Sequence, residues 1–256
     1  MIESQFFYSL ITAVFVGGAA GYLGTLMVTK RMALVGDALG HVALPGVALA
    51  LIYNFSVEAG AFASLFVGII LIWMFKGKTE IYMETLTGVV FAVSLALGFL
   101  IIPSEDIETA LIGDIAKINL TDAVVSVLLV IVVFFAVKKI FSEMILSTLS
   151  EDLALSLKIN VRKYDLIYLL AIGIIVALGI KIVGSLLVGA LVVIPAAASR
   201  NFSRNLFQYS YGGMLIGAIS CILGVVISEA VGFGAGPFAA LASAAIFLIS
   251  IFFRQN

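Results

Sequence analysis

Long apolar segments recur along almost the whole chain, and they limit its possible folds more than any other feature. Hydrophobic residues make up 63% of the sequence and charged residues 11%, whereas soluble domains carry about 25% charged residues. A helix needs roughly 20 mostly apolar residues to cross a bilayer. The segments of suitable length are residues 6–28, 32–53, 57–75, 81–102, 121–137, 165–180, 182–199, 209–230 and 236–253. They predict an all-α polytopic transmembrane helical bundle of about nine spans, in which residues 1–256 form a single transmembrane domain.

The placement of basic residues predicts how the bundle is oriented. With nine spans and the N-terminus outside, only Lys117 and Lys181 of the 14 basic residues lie outside the cytoplasm. Loops on the cytoplasmic side of membrane proteins carry an excess of lysine and arginine. Acidic residues cluster on the opposite side, namely Glu3, Glu58, Glu105, Asp106, Glu108 and Asp114. The pattern predicts that the N-terminus is outside and the C-terminus inside.

Residues 31–50 contain the side chains that are most costly to place in a membrane. Asp37 and His41, the single histidine, are four residues apart and therefore share one face of a helix. Pro45 follows and removes a backbone donor, which leaves a carbonyl near His41 without its helical partner. A carboxylate and an imidazole together suit zinc, manganese or ferrous ions. Two interpretations remain open here: a metal or proton pathway, or a hydrogen-bonded pair that holds helices together.

Two further acidic residues are auxiliary candidates for the same pathway. Glu229 lies at the outer end of the eighth predicted span, and Asp114 lies in the outer loop formed by residues 103–120. The simpler interpretation of both is an exposed carboxylate at the membrane surface, and the alternative is a part in an external gate. The loop itself is mildly amphipathic and predicts a short helix lying along the membrane surface.

The long inner connection, residues 139–164, predicts a short cytoplasmic helix. Thr148 and Glu151 have the spacing of a capping box. Leu153, Leu157 and Val161 recur at helical spacing and predict an apolar stripe. The helix is either a solvated linker or a docking element for a soluble partner.

Enzyme signatures are absent from the sequence. Gly77-Lys78-Thr79 resembles the end of a phosphate-binding loop, but Ile72 stands where the upstream glycine is required. A single histidine excludes the zinc-protease motif HExxH, and a single cysteine, Cys221, excludes a cysteine-based metal cluster. We therefore expect a protein that is not an enzyme and hydrolyses no ATP itself.

Over essentially its whole length, the chain resembles the membrane permease subunits of bacterial and archaeal zinc, manganese and iron ABC importers. Two blocks are specific to that family: KRMALVGDALGHVALPGVALA (30–50) and VGSLLVGALVVIPAAASRNFSR (183–204). Four blocks support them: METLTGVVFAVSLALG (83–98), LIGDIAKINLTD (111–122), SEDLALSLKINVRKYD (150–165) and GAGP (234–237). The chain departs from the family at Lys158, where glycine is usual, and at Ala92, where some zinc members carry histidine.

The resemblance implies a permease domain that works as a homodimer around a central pathway. It also implies two cytoplasmic ATPase subunits and an extracytoplasmic metal-binding protein as partners. Asp37 and His41 fall on the family's Asp-x-x-x-His pair, which contacts the ion. The block 150–165, with Leu153 and Leu157, falls on the stretch that engages the ATPase.

The expected function is therefore ATP-driven import of a divalent transition metal across a prokaryotic cell membrane, inner where there are two. The transported ion is the expected ligand; no permanently bound cofactor and no nucleic acid are expected. The alternative is a self-contained secondary transporter that couples cation movement to protons through Asp37 and His41.

Overall fold

The computed structural model is helical throughout the part of the chain that it describes, residues 2–102, 111 and 118–253. The helices are α1 (Ile2–Thr29), α2 (Ala33–Val42), α3 (Leu44–Tyr53), α4 (Val57–Lys76), α5 (Met83–Ile101), α6 (Leu120–Leu149), α7 (Glu151–Ser156), α8 (Val161–Phe202), α9 (Leu206–Val231) and α10 (Ala235–Phe252). In these residues, eight helical segments are long and apolar enough to cross a membrane, with α2 and α3 counted as one segment. The all-α transmembrane bundle is confirmed.

Helices α1 and α8 form the centre of the bundle. Their most apolar stretches are 78% and 72% buried, compared with 22% for α5 at the periphery. Glycines on α1 bring the backbones of neighbouring helices into contact. A side chain at Gly24 would strike the carbonyl of Val192 on α8, and one at Gly21 would strike that of Gly213 on α9. Such close backbone packing replaces the hydrophobic driving force that lipid removes.

Helix α8 covers two of the predicted spans and is sharply bent between them. Its 42 residues would extend roughly 63 Å if straight, twice the thickness of the hydrocarbon core. Gly184 interrupts it with φ 77° and ψ 167°, a conformation that is open to glycine and strained for other residues. A side chain at Gly179 would contact Val188 across the bend.

The two arms of α8 run in opposite directions. Before the bend, Asp165 pairs with Lys30 at one end of α1, and a side chain at Gly179 would meet Val16 near the middle of α1. After the bend, the chain returns along α2. Ser185 lies against Gly40 and Val192 lies against Gly36, which is near the start of α2 and hence near Lys30. This hairpin supports counting α8 as two crossings.

Orientation and the count of nine spans remain predictions. Labelling with a membrane-impermeant thiol reagent tests the orientation of the first four spans, and the native Cys221 does not interfere because it is buried. Cysteine placed at Asn54, in the exposed α3–α4 connection, is expected to react from outside intact cells. Cysteine at Lys78, in the exposed α4–α5 connection, is expected to react only after the cells are opened. Reaction of both positions from the same side would contradict the predicted topology.

An ion cluster joins three helices at the end of the bundle opposite Lys30. The ammonium of Lys181 lies 2.7 Å from Glu58 and 2.6 Å from Asp122, in the first turns of α4 and α6. The side chains are only 20–22% exposed. The cluster explains why one lysine is tolerated away from the predicted cytoplasmic side. Two carboxylates neutralise it, and the ion pairs tie the end of the first α8 arm to α4 and α6.

Replacing Lys181 by glutamine is expected to lower the free energy of unfolding by about 1–3 kcal/mol, between the effects of breaking exposed and buried ion pairs. The two carboxylates would then face each other without a cation. Thermal unfolding in detergent measures the change, and Lys78→Gln, at an exposed position, is the matched control. Equal melting temperatures for the two variants would show that the cluster contributes no stability.

Helix α7, which the sequence places in the cytoplasm as an expectation, is shorter than the sequence predicts. The predicted capping box at Thr148 and Glu151 is wrong, because α6 continues to Leu149 and the Thr148 hydroxyl donates back to the Met144 carbonyl. Ser150 caps α7 instead and accepts a hydrogen bond from the Leu153 amide. Val161 begins α8 and so does not extend the stripe of α7.

Lys158 ends the turn after α7 with φ 58°, in the left-handed region where glycine is favoured. A glycine, which the resemblance described above leads us to expect here, would adopt this conformation without strain. Most of the outer loop, including the surface helix predicted in residues 103–120 and the candidate Asp114, lies outside the described residues.

Candidate functional site

Asp37 and His41 both lie on α2, on the face of the helix that the protomer leaves open. Four helical residues separate them by roughly 6 Å along the axis. Leu34, one turn before Asp37, is 67% exposed; Asp37 itself is exposed, and Ala38 and His41 are half-buried. The face is therefore open around a carboxylate and an imidazole, within a segment apolar enough to span the membrane.

The backbone of α2 at Asp37 is held tightly against the second arm of α8. A side chain at Gly189 would strike the Cα atom of Asp37 and its carboxylate oxygen Oδ1. One turn further, Gly40 approaches the carbonyl of Ser185 equally closely. These contacts fix the position of the Asp37 carboxylate, although the side of the carboxylate that faces away from α8 is open.

The imidazole of His41 is held edge-on by an aromatic ring on α5. Its ring centroid lies 5.4 Å from that of Phe91, with 63° between the ring planes. The Nδ1 atom is buried and has no hydrogen-bond partner in the described part of the chain. A buried polar atom without a partner costs about 1–3 kcal/mol. Within the described part of the chain, this atom is therefore free to bind water, an ion or another group.

The helix is interrupted directly after His41. Val42 ends α2 and Leu44 begins α3, with Pro45 in the first turn of α3. Pro45 has no N–H to donate to the carbonyl of His41. The neighbouring Val42 carbonyl instead accepts a hydrogen bond of 2.7 Å from the Ser64 hydroxyl on α4. The break that Pro45 predicts is therefore present, and α4 supports it.

The described part of the chain does not hold a complete metal site. Among the described residues, no group of three or more histidine, cysteine, aspartate or glutamate side chains converges closely enough to bind an ion. The structure also records no hydrogen bond between Asp37 and His41. Asp37 and His41 are thus two potential ligands on an open face, and the described residues bring no third one to them.

Comparison with known proteins identifies the family. The model of the ABC 3 transport family matches residues 4–254. The chain belongs to the ABC 3 transport family.

Individual relatives in this family match along almost the full chain. The manganese import system permease protein ScaB of Streptococcus gordonii is 30% identical over 248 residues, which cover 95% of this chain and 89% of ScaB. The high-affinity zinc uptake system membrane protein ZnuB of Haemophilus influenzae is 29% identical over 256 residues, 98% of each chain. The chain is accordingly a multi-pass ABC permease of the bacterial cell membrane.

A solved structure shares the fold. PsaBC from Streptococcus pneumoniae in complex with Fab superposes with a TM-score of 0.84 at 28% sequence identity, covering 96% of this chain and 91% of the other. The manganese and zinc relatives are almost equally similar to this member of the ABC 3 transport family, so overall identity does not discriminate between these metals.

Of the auxiliary candidates, only Glu229 lies in the described part of the chain. It is exposed in the last turn of α9 and makes no ion pair or hydrogen bond with a described residue. Helix α9 packs on α1, α8 and α10. The structure records no contact between Glu229 and either Asp37 or His41.

Sequence reasoning missed two residues that shape the site. Gly189 allows α8 to reach the Asp37 backbone, and Phe91 orients His41. The small residues in GSLLVGA (184–190) predict close helix packing, but they do not indicate which helix packs against this segment. The contact of Phe91 with His41 could not be predicted from the sequence, because aromatic residues are common in apolar spans, both in the core and facing lipid.

Proposed function

We propose that this chain is the permease subunit of an ATP-driven importer of a divalent transition metal: manganese, zinc or iron. The observation that carries the proposal is the open face of α2 in an ABC 3 transport family protein. There an exposed Asp37 and a His41 Nδ1 that has no partner among the described residues share a membrane-spanning segment. An uncompensated charge in such a segment costs about 2.5–3.5 kcal/mol on insertion scales, so it requires a partner, an ion or water.

The partner that fits this face is a second copy of the chain. A two-fold axis beside α2 brings two Asp37 carboxylates and two His41 imidazoles together, and so supplies four ligands where one protomer supplies two. It also removes Leu34 and the carboxylates from contact with lipid. Leu186 on the neighbouring α8 arm is 48% exposed and extends the same open side. These features support a homodimer with the pathway on its axis.

The ligand set suits transient passage of the metal as substrate. Carboxylate oxygen and imidazole nitrogen bind manganese, ferrous and zinc ions without the strong retention that several thiolates give. Conduction requires binding that is favourable enough for entry and weak enough for release. In this proposal, selectivity comes mainly from an extracytoplasmic metal-binding protein that delivers the ion, while Asp37 and His41 form a passing or gating site.

Helix α7 is the proposed docking element for two cytoplasmic ATPase subunits, one on each protomer. Leu153 is 48% exposed and Leu157 is 59% exposed, which is unusual for leucines on a short cytoplasmic segment and favours a covered interface. The first turn of α8, which follows α7 directly along the chain, is tied to the bundle. The Arg162 guanidinium stacks 4.4 Å above the Trp73 ring of α4, and Trp73 Nε1 donates to the Arg162 carbonyl at 3.1 Å.

Uptake by the reconstituted protein tests the proposal. Proteoliposomes that contain the chain with its ATPase are expected to accumulate radioactive manganese or zinc only when ATP is available to the ATPase. The chain alone is expected to be inactive. Metal accumulation by the chain alone under a proton gradient would instead establish the proton-coupled secondary transporter.

A further inference from the structure

A half-open cavity of about 480 Å³ lies between α6 and α9, at the end of the bundle that carries Lys30. Its lining combines aromatic and aliphatic side chains with one lysine and several hydroxyl groups. The lining residues are Tyr22, Lys138, Phe141, Ser142, Ile145, Leu206, Phe207, Ser210 and Tyr211. The cavity is thus apolar along its walls and able to bind an anion at one place.

Lys138 supplies the positive charge at an unusual depth. It precedes Met144 by six residues, roughly 9 Å along α6, and the Met144 sulfur lies 3.9 Å from Lys30 Nζ at the end of the bundle. The Lys138 ammonium lies 5.9 Å from the centroid of the Phe134 ring and forms no ion pair with a described carboxylate. A lysine at the edge of the hydrocarbon region needs an anion or access to the headgroups.

Aromatic rings place this cavity at the membrane boundary. Phe207 and Tyr211 stack on the first turns of α9 with ring centroids 4.4 Å apart, and Tyr22 lies 5.0 Å from Phe134. Phe207 is 69% exposed. Tyrosine and other aromatic side chains with one apolar and one wet side concentrate at membrane–water interfaces. The cavity therefore faces lipid acyl chains on its side toward the membrane centre and lipid headgroups on its side toward the water.

A second cavity of about 460 Å³ adjoins the first on the other side of Tyr211 and includes Arg204. Both cavities lie at the N-terminal end of α9, which begins at Leu206. A helix N-terminus attracts negative charge through its oriented N–H groups. Arg204 and the positive end of a 26-residue helix therefore lie beside the groove that Lys138 lines.

We propose that the groove between α6 and α9 binds an anionic phospholipid, with the phosphate between Lys138 and the first turn of α9 and an acyl chain running from there past Tyr211 and Phe134 toward the membrane centre. A lipid fits better than a soluble anion because the walls are apolar and the opening lies within the bilayer. Basic pockets between transmembrane helices on the cytoplasmic side are typical sites for acidic lipid headgroups. By the predicted orientation, the lipid belongs to the inner leaflet.

Native mass spectrometry of the purified protein with phosphatidylglycerol and phosphatidylcholine tests this site. Wild-type protein is expected to retain phosphatidylglycerol preferentially. Lys138→Gln is expected to lower that retention about fivefold, the effect of one basic residue near an acidic lipid. The matched control is Lys139→Gln, which removes the same charge from the adjacent exposed residue outside the cavity lining.

The variant Ser142→Trp tests the contribution of the cavity independently of the charge on Lys138. This variant keeps Lys138 but places a bulky ring at the exposed, cavity-lining position of Ser142, and it is also expected to lose the lipid. Equal lipid retention in Lys138→Gln and Lys139→Gln, or unaltered retention in Ser142→Trp, would overturn the site. Stabilisation of the protein against heat by inorganic phosphate as strong as that by phosphatidylglycerol would reassign it to soluble anions and contradict the lipid proposal.

Discussion

Asp37→Asn is expected to remove most metal uptake while leaving the protein folded and inserted. The change keeps the size and much of the hydrogen-bonding capacity of the side chain but removes its negative charge, and a neutral amide is a much poorer ligand for a divalent cation. Asp37 is exposed and has no recorded hydrogen bond to His41, so the variant is expected to cost the protomer little stability. Uptake of radioactive manganese or zinc, normalised to folded protein, is expected to fall on the order of tenfold or more.

His41→Gln is the companion variant, since it keeps a polar side chain and removes the imidazole. The matched control is Glu84→Gln, which neutralises an exposed carboxylate in the first turn of α5. If the pair only held helices together, Asp37→Asn would be nearly silent, because measured hydrogen bonds between membrane helices average about 0.6 kcal/mol. Transport at the wild-type rate by both Asp37→Asn and His41→Gln would therefore show that the pair is structural.

The double variant Leu153→Asp/Leu157→Asp is expected to lose its ATPase while the permease still inserts. Covering a leucine stabilises an interface by about 1.5–3 kcal/mol, so loss of two leucines weakens binding tenfold or more. Both side chains are about half exposed or more in the free permease, so the changes are expected to leave its fold intact. Co-purification of the ATPase with the tagged permease measures the effect.

The control for this experiment is Ile81→Asp, which introduces the same charge at another exposed apolar side chain, 46% accessible in the α4–α5 connection. It is expected to retain the ATPase. Normal ATPase binding by the leucine double variant would show that α7 is only a linker between α6 and α8.

The sequence predicts the fold well because membrane insertion imposes a strong pattern. Each spanning helix requires a long apolar run, and every helix that the structure assigns as long and apolar enough overlaps a predicted span. The observed helix bounds differ from the predicted ones where the polarity of the sequence does not determine the end of a helix. Helix α6 extends to Leu149, far beyond the predicted end at residue 137, because a helix continues into water when its backbone bonds are met and no breaker follows.

Other features depend on contacts that a single sequence does not reveal. The bend of α8 occurs at Gly184, one of 24 glycines, and only the packing of its two arms shows why the chain turns there. The spacing of Asp37 and His41 predicts their common face, which α2 provides. The approach of Gly189 and Phe91 to that face arises from helices distant in sequence, so periodicity carries no information about it.

The most direct test of the transport proposal is metal uptake by proteoliposomes that contain the purified permease, with and without its ATPase. The expected result is uptake of manganese or zinc that requires both the ATPase and ATP, persists when the proton gradient is collapsed, and is lost in Asp37→Asn. Uptake by the permease alone, driven by a proton gradient and indifferent to ATP, would contradict the proposal.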